Sequence, residues 1–158
     1  MSKKNNKTTN IKIAIDTSFL IRLVKETDEQ HDNVKSFFIE FYNKHATFYI
    51  STITLSEFLI KGTIEELPLD FLKIESFNHF QAKKAANIFN KLRDHKGNIT
   101  RRALKDDVKI LAQAIDKEID YFLCADNDFE SLIKRYNAEV KVINILKISH
   151  KEFFSKLF

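Results

Sequence analysis

The sequence has one cysteine, one proline, two glycines and no tryptophan among its 158 residues. Cys124 has no partner for an internal disulfide, and no cysteine or histidine group has zinc-ligand spacing, which argues against a disulfide scaffold and a structural zinc site. A reducing, cytoplasmic compartment is the expectation. No apolar run approaches the roughly 18 residues that cross a bilayer, and the polar, lysine-bearing residues 1–10 precede no stretch of signal-peptide length. The chain is therefore expected to be soluble, unexported and free of membrane contact. Internal repeats are also lacking, as are low-complexity segments beyond that tail.

What remains is an ordinary globular composition, 44% hydrophobic and 30% charged, in a chain of single-domain length. Such a chain buries roughly two thirds of its unfolded surface, enough for one core. The charge balance is 26 basic minus 22 acidic, or +4. If four of the acids gather around metal, the rest of the surface carries 26 minus 18, or +8, a field that attracts a polyanion.

Short apolar runs alternate with helical stripes. Residues 11–15 (IKIAI), 48–50, 121–125 (YFLCA) and 140–145 (VKVINI) are β-branched or aromatic and read as strands, with 71–74 a weaker fifth. Between them, Val34, Phe37, Phe38 and Phe41, then Ala82, Ala85, Ala86, Phe89 and Leu92, then Leu104, Val108, Leu111, Ala112 and Ile115 recur at helical spacing. Gly62 and Gly97 follow helical stretches as C-terminal caps would, and Leu67-Pro68 breaks the chain before the weak strand. Asn78 with Gln81, and Ser149 with Glu152, have capping-box spacing. Alternating strands and helices imply right-handed crossovers and a sheet covered on both faces. The expected fold is α/β, a three-layer α/β/α sandwich with a four- to five-stranded, mainly parallel sheet.

In such a sheet ligands bind beyond the carboxyl ends of the strands. Asp16 directly follows the first strand in IAIDTSFLI, and Asp126 follows another in FLCADNDF. Glu57 is expected in the first turn of the helix after the second strand, and Asp107 in the first turn of a later helix. Each has a structural reading as well: Asp16 and Asp126 as helix or Asx caps, Thr54 with Glu57 as a capping box, Asp106 and Asp107 as acids favouring a helix dipole. Separate caps do not predict a shared place at one edge of a sheet. Converging carboxylates repel one another, and a hard cation resolves the conflict; oxygen donors without cysteine or paired histidine favour Mg²⁺ or Mn²⁺. The chemistry such a site implies is metal-assisted phosphodiester hydrolysis.

These residues together resemble a PIN domain, the nuclease fold of VapC toxins in toxin–antitoxin pairs. The family's strand-Asp-Thr-Ser opening is similar to Ile13–Ile21, its glutamate-bearing helix to 51–58 with Glu57, its Asp-x-x-Ile-x-Ala-x-Ala helix to Asp107, Ile110, Ala112 and Ala114, and its Asp-x-Asp-Phe to 126–129. The resemblance covers residues 11–146, leaving a basic tail over 1–10 and a C-terminal amphipathic helix over 147–158. It implies an Mg²⁺- or Mn²⁺-dependent endoribonuclease with Asp16, Glu57, Asp107 and Asp126 as catalytic metal ligands. Asp128 would be an auxiliary acid or a cap, and Ser18 would orient Asp16 or the site water. It also implies RNA products with 3′-hydroxyl and 5′-phosphate ends, a cognate antitoxin and a homodimer. The chain departs from the pattern at its ten-residue tail and at Cys124-Ala125, where a threonine or serine pair is common.

Arg101, Arg102, Lys105 and Lys109 surround the Asp107 segment and are the expected phosphate-positioning residues, against the plainer reading of a solvated helix face. A second basic stretch, Lys91, Arg93, His95 and Lys96, favours that plainer reading more strongly. Phe153, Phe154, Leu157 and Phe158 form a stripe expected to pack back on the domain, the alternative being a partner surface. Two further readings fit poorly. A dehalogenase-like phosphatase expects Thr or Val where Glu130 stands, and a calcium loop from Asp126 would place Ser131 and Asn137 at positions requiring glycine and a ligand. The serious alternative is a PIN-like module that binds RNA or protein without cutting it.

Overall fold

A computed structural model of the chain describes residues 10–93 and 101–157. The expected tail, except its last residue, and the expected cap at Gly97 lie outside the described residues, as do His95, Lys96 and Phe158.

The chain order is β1 (Lys12–Ile15), α1 (Thr17–Val24), α2 (His31–Asn43), β2 (Thr47–Ser51), α3 (Thr52–Phe58), β3 (Leu72–Glu75), α4 (His79–Arg93), α5 (Arg101–Asp116), β4 (Tyr121–Cys124), α6 (Asn127–Tyr136), β5 (Lys141–Asn144) and α7 (His150–Leu157). The strands form one sheet in the order β3-β2-β1-β4-β5, with every pair parallel. The weak fifth strand is thus real, and lies at an edge against β2.

Alternation along the strands builds two cores. Ile13, Ile15, Phe48, Ile50, Leu72, Leu123 and Ile143 face α1 and α2, whose Phe19, Leu20, Val34, Phe37 and Phe41 are buried against them. Phe122 and Cys124 point the other way, with Ala14, Tyr49 and Val142 packed beside them, toward α4, α5 and α6. The result is the expected three-layer sandwich, held mainly by apolar burial. Phe153 and Phe154 of α7 pack on the first core, their rings 5.7 and 5.8 Å from that of Phe37. Among the described residues no helix is long and apolar enough to cross a membrane.

Helix boundaries differ from expectation in informative ways. The capping box of Asn78 and Gln81 forms in both directions, at 3.1 and 3.0 Å. Only half of the second forms: Ser149 Oγ accepts from the Glu152 amide at 3.2 Å, while the Glu152 carboxylate pairs with Lys156 at 2.7 Å. Thr54 caps nothing, because Ser51 is the N-cap of α3, its hydroxyl accepting from the Ile53 amide at 3.0 Å, and Thr54 sits fully buried inside the helix. Gly62 is not a left-handed cap either: α3 ends at Leu59 in right-handed geometry, and Gly62 has no positive φ. Its need is for space, since a Cβ there would meet the Phe58 ring at 2.6 Å.

Candidate active site

The chain leaves β1 toward β2 on one side and returns to place β4 on the other, so the neighbouring strands β1 and β4 form the topological switch point of the sheet. Asp16 and Asp126 stand just past the ends of these two strands. The Asp16 amide donates to the Leu123 carbonyl at 3.0 Å, continuing the β1–β4 ladder by one residue and fixing where the Asp16 side chain begins.

Asp16 is the N-cap of α1 and only 7% exposed. Its Oδ2 accepts from the Ser18 hydroxyl at 2.7 Å and the Ser18 amide at 3.3 Å. Asp126 is the N-cap of α6, with Oδ1 accepting from the Asp128 amide at 2.7 Å. The capping readings of both acids are therefore correct as local structure. The Ser18 bonds engage only Oδ2 of Asp16, and the Asp128 bond only Oδ1 of Asp126.

Glu57 and Asp107 are not where short-range signals put them. α3 starts at Thr52 and α5 at Arg101, so each acid lies in the second turn of its helix rather than the first. Neither helix has an acid in its first turn, which removes the dipole reading of Asp106 and Asp107. Glu57 instead accepts a short hydrogen bond from the Thr17 hydroxyl, tying α3 to the start of α1.

The charges of the other three acids are all felt at Asp107. Burial, then the charges of Asp16, Asp126 and Glu57, and last neighbouring Asp106, push the Asp107 carboxyl up to about 7. Burial likewise raises Asp16, aided by Glu57 and opposed by the hydrogen bonds from Ser18. Among the described residues no three or more His, Cys, Asp or Glu side chains stand close enough together to hold a metal ion as a group. The donor set still fits a hard, partly hydrated cation, which takes one or two protein carboxylates and keeps several waters. Cys124 offers no soft ligand, because burial, ahead of the charges of Asp16 and Asp126, pushes its thiol up to about 12.

The remaining expected residues divide. Ser18 is central: besides bonding Asp16, its hydroxyl accepts from the Ala125 amide at 2.9 Å, linking α1 to the tip of β4. Asp128 is exposed, in the first turn of α6, where it serves the helix end. Lys105 is exposed, and Lys109 pairs with Asp106 at 3.0 Å. Arg101 and Arg102 open α5, and their side chains lie outside the described residues. Lys91 of the second basic stretch stands over the Tyr136 ring at 5.8 Å.

Sequence reasoning missed Thr17 as the partner of Glu57. It also missed Asn144 at the end of β5, 4% exposed, whose Nδ2 donates to Asn127 Oδ1 at 2.8 Å and steadies the turn carrying Asp126. Thr17 had a signal, its place in Asp-Thr-Ser; Asn144 had none.

The comparisons with known proteins agree with this architecture. A PIN domain family model matches residues 13–134. Among solved structures, FitAcB from Neisseria gonorrhoeae aligns with TM-score 0.64 at 16% identity over 86% of this chain and 99% of that one. VapBC2 from Rickettsia felis, bound to a DNA fragment from its promoter, aligns with TM-score 0.63 at 15% identity over 84% and 98%. Mycobacterium tuberculosis VapC20, described as a sarcin-ricin-loop-cleaving toxin, aligns with TM-score 0.55 at 18% identity over 75% and 93%. No curated protein sequence matches this chain significantly. At these identities the structural likeness establishes the fold, and the family match, spanning most of the chain, establishes membership: this chain belongs to the PIN domain family.

Proposed function

We propose that the protein is an Mg²⁺- or Mn²⁺-dependent endoribonuclease acting as the toxin of a toxin–antitoxin pair, with Asp16, Glu57, Asp107 and Asp126 as its catalytic acids. The observation that carries the reading is the placement of Asp16 and Asp126 just past the ends of the neighbouring strands β1 and β4, with Asp107 raised by burial and by the charges of Asp16, Asp126 and Glu57. Such repulsion is relieved either by a proton on Asp107 or by a bound cation, and strongly shifted acids of this kind gather at functional sites. Asp16 and Asp107, with Asp126 and Glu57 beside them, would hold the cation.

When bound, the metal supplies a more acidic water and offsets charge on the leaving oxygen. The chain's own residues do the rest. Ser18 holds Asp16 in one orientation, Thr17 holds Glu57, and the Asp126 cap fixes the fourth acid. Lys105 and Lys109, with Arg101 and Arg102 of the same helix, would position phosphates.

An antitoxin is supported by a groove of about 580 Å³ between α1 and α3, lined by Ile21, Val24, Phe58 and Ile60 and reaching Glu57. Ile60 is 77% exposed, so an apolar partner segment lying there would cover it and close off the acids. Of the similar solved structures, VapC20 is described as a toxin, and VapBC2 was solved bound to a DNA fragment from its promoter.

Expression in a growing bacterial host tests the proposal. The expected outcome is growth arrest with RNA fragments carrying 3′-hydroxyl and 5′-phosphate ends, both lifted by Asp16→Asn. Arrest that persists undiminished in Asp16→Asn and Asp107→Asn would refute it.

A further inference from the structure

One buried amide joins the two helices that bring Glu57 and Asp107 to the site. Gln113 on α5 is 5% exposed, and its Oε1 accepts a short hydrogen bond from the Ser51 hydroxyl. Its Nε2 donates to the Glu75 carbonyl at the end of β3, at 3.2 Å. Ser51 is itself 9% exposed, ends β2, and caps α3. The two partners of this bond stand in matching places: Ser51 is six residues before Glu57 (57 minus 51), and Gln113 is six residues after Asp107 (113 minus 107). Six residues of helix span about 9 Å and move as a rigid unit.

Resting on the metal-nuclease reading above, we propose that Gln113 is a positioning residue, clamping α5 to the tips of β2 and β3 so that Asp107 and Glu57 meet at one cation. The apolar contacts of α5 cannot do this alone. Ile110, Leu111 and Ala114 are buried in the second core, and their burial, being non-directional, specifies the helix position less sharply than a hydrogen bond does. A buried amide is directional. Sliding α5 strands both its donor and its acceptor without partners, and a polar group buried unpaired is costly. Only one register of α5 satisfies both ends.

Gln81 gives a matched control. It is 1% exposed and also ties a helix to α5, through Nε2 to Asp116 Oδ2 at 2.8 Å, but it lies on α4, which carries none of the four acids.

The test compares wild type with Gln113→Leu, Gln113→Glu, Ser51→Thr and Gln81→Leu by calorimetric titration of Mn²⁺, with amide exchange measured over residues 52–58. Partners bonded directly to a metal ligand are typically worth about 10–100-fold in metal affinity, and the lower end of that range is expected for Gln113, which acts through the helix. Gln113→Leu is expected to weaken Mn²⁺ binding at least about tenfold and to speed exchange in 52–58. Gln81→Leu, though destabilised, is expected to stay within about twofold in both readouts. Gln113→Glu keeps the acceptor for Ser51, and Ser51→Thr keeps the donor, so both are expected to retain more Mn²⁺ affinity than Gln113→Leu. Gln113→Leu behaving like wild type, or losing affinity no more than Gln81→Leu at equal destabilisation, overturns the proposal. A wild type that binds no Mn²⁺ refutes the metal reading instead, and the clamp then stands or falls on the exchange of 52–58.

Discussion

The hydroxyl of Ser18 donates to Asp16 Oδ2 at 2.7 Å while accepting from the amide of Ala125 at 2.9 Å. One small side chain thus couples the acid after β1 to the strand end that leads to Asp126. Hydrogen bonds to the charged form lower a carboxyl's pKa, so Ser18 opposes the burial that raises Asp16. Ser18→Ala is expected to reduce RNA cleavage about tenfold or more at fixed metal, with higher Mn²⁺ restoring part of it. Leaving the Ala125 amide unpaired is expected to cost about 1–3 kcal/mol of stability. Cleavage rates across an Mn²⁺ series, with denaturant melts, check both.

Asp107 gives a pH dependence to the metal-free protein. Its folded value of about 7 lies above the ordinary 3.8, so between those values the native state holds a proton that the unfolded chain has lost. Stability should therefore fall as pH rises from about 4 to 7, and level off above. Asp107→Asn is expected to flatten that slope, and Mn²⁺ to reverse it by replacing the proton. Thermal melts of wild type and Asp107→Asn from pH 5 to 8, with and without Mn²⁺, measure the difference.

Glu130 has the opposite sign. Lys147 at 2.5 Å, joined by Lys134 and Asn144, holds its carboxyl down to about 2, against an opposing effect of burial second only to Lys147. The stability it contributes is present above its ordinary value of 4.5 and is lost as pH falls toward 2. Glu130→Gln is expected to cost about 1 kcal/mol at neutral pH, since the lysines are exposed and screened, and much less at pH 2, where the folded carboxyl is half protonated. Urea melts at the two pH values separate the outcomes.

The sheet was legible in the sequence because its strands are short, apolar and punctuated by helical stripes, and even the edge strand β3 left a trace. Asp16 and Asp126 were legible for the same reason, standing directly after strands. What failed were inferences from local spacing. Thr54 and Glu57 have the spacing of a capping box, yet Ser51 took the cap. Asp107 was expected in the first turn of its helix, yet α5 begins at Arg101 and places it in the second. The contacts of Gln113 with Ser51 and of Asn144 with Asn127 had no signal, since a buried amide is indistinguishable from an exposed one until distant segments meet.

The C-terminal helix should matter for stability and not for cleavage. Phe154 lies 5.0 Å from the Phe41 ring and 5.8 Å from Phe37, on the face of the first core and away from the acids. Phe154→Ala is expected to cost about 2–3 kcal/mol, less than a fully buried phenylalanine because the ring is half-exposed. Cleavage at a temperature where the variant is folded should match wild type.

The central claim is that four carboxylates at the β1–β4 switch point hold a catalytic cation. Cleavage of defined RNA by purified wild type, Asp16→Asn and Asp107→Asn, with Mn²⁺ and with chelator, tests it most directly, circular dichroism confirming the fold of each. The account predicts cleavage by wild type with Mn²⁺ only, and a loss of at least about a hundredfold in both variants. Equal cleavage by all three proteins, or cleavage that survives the chelator, would contradict it.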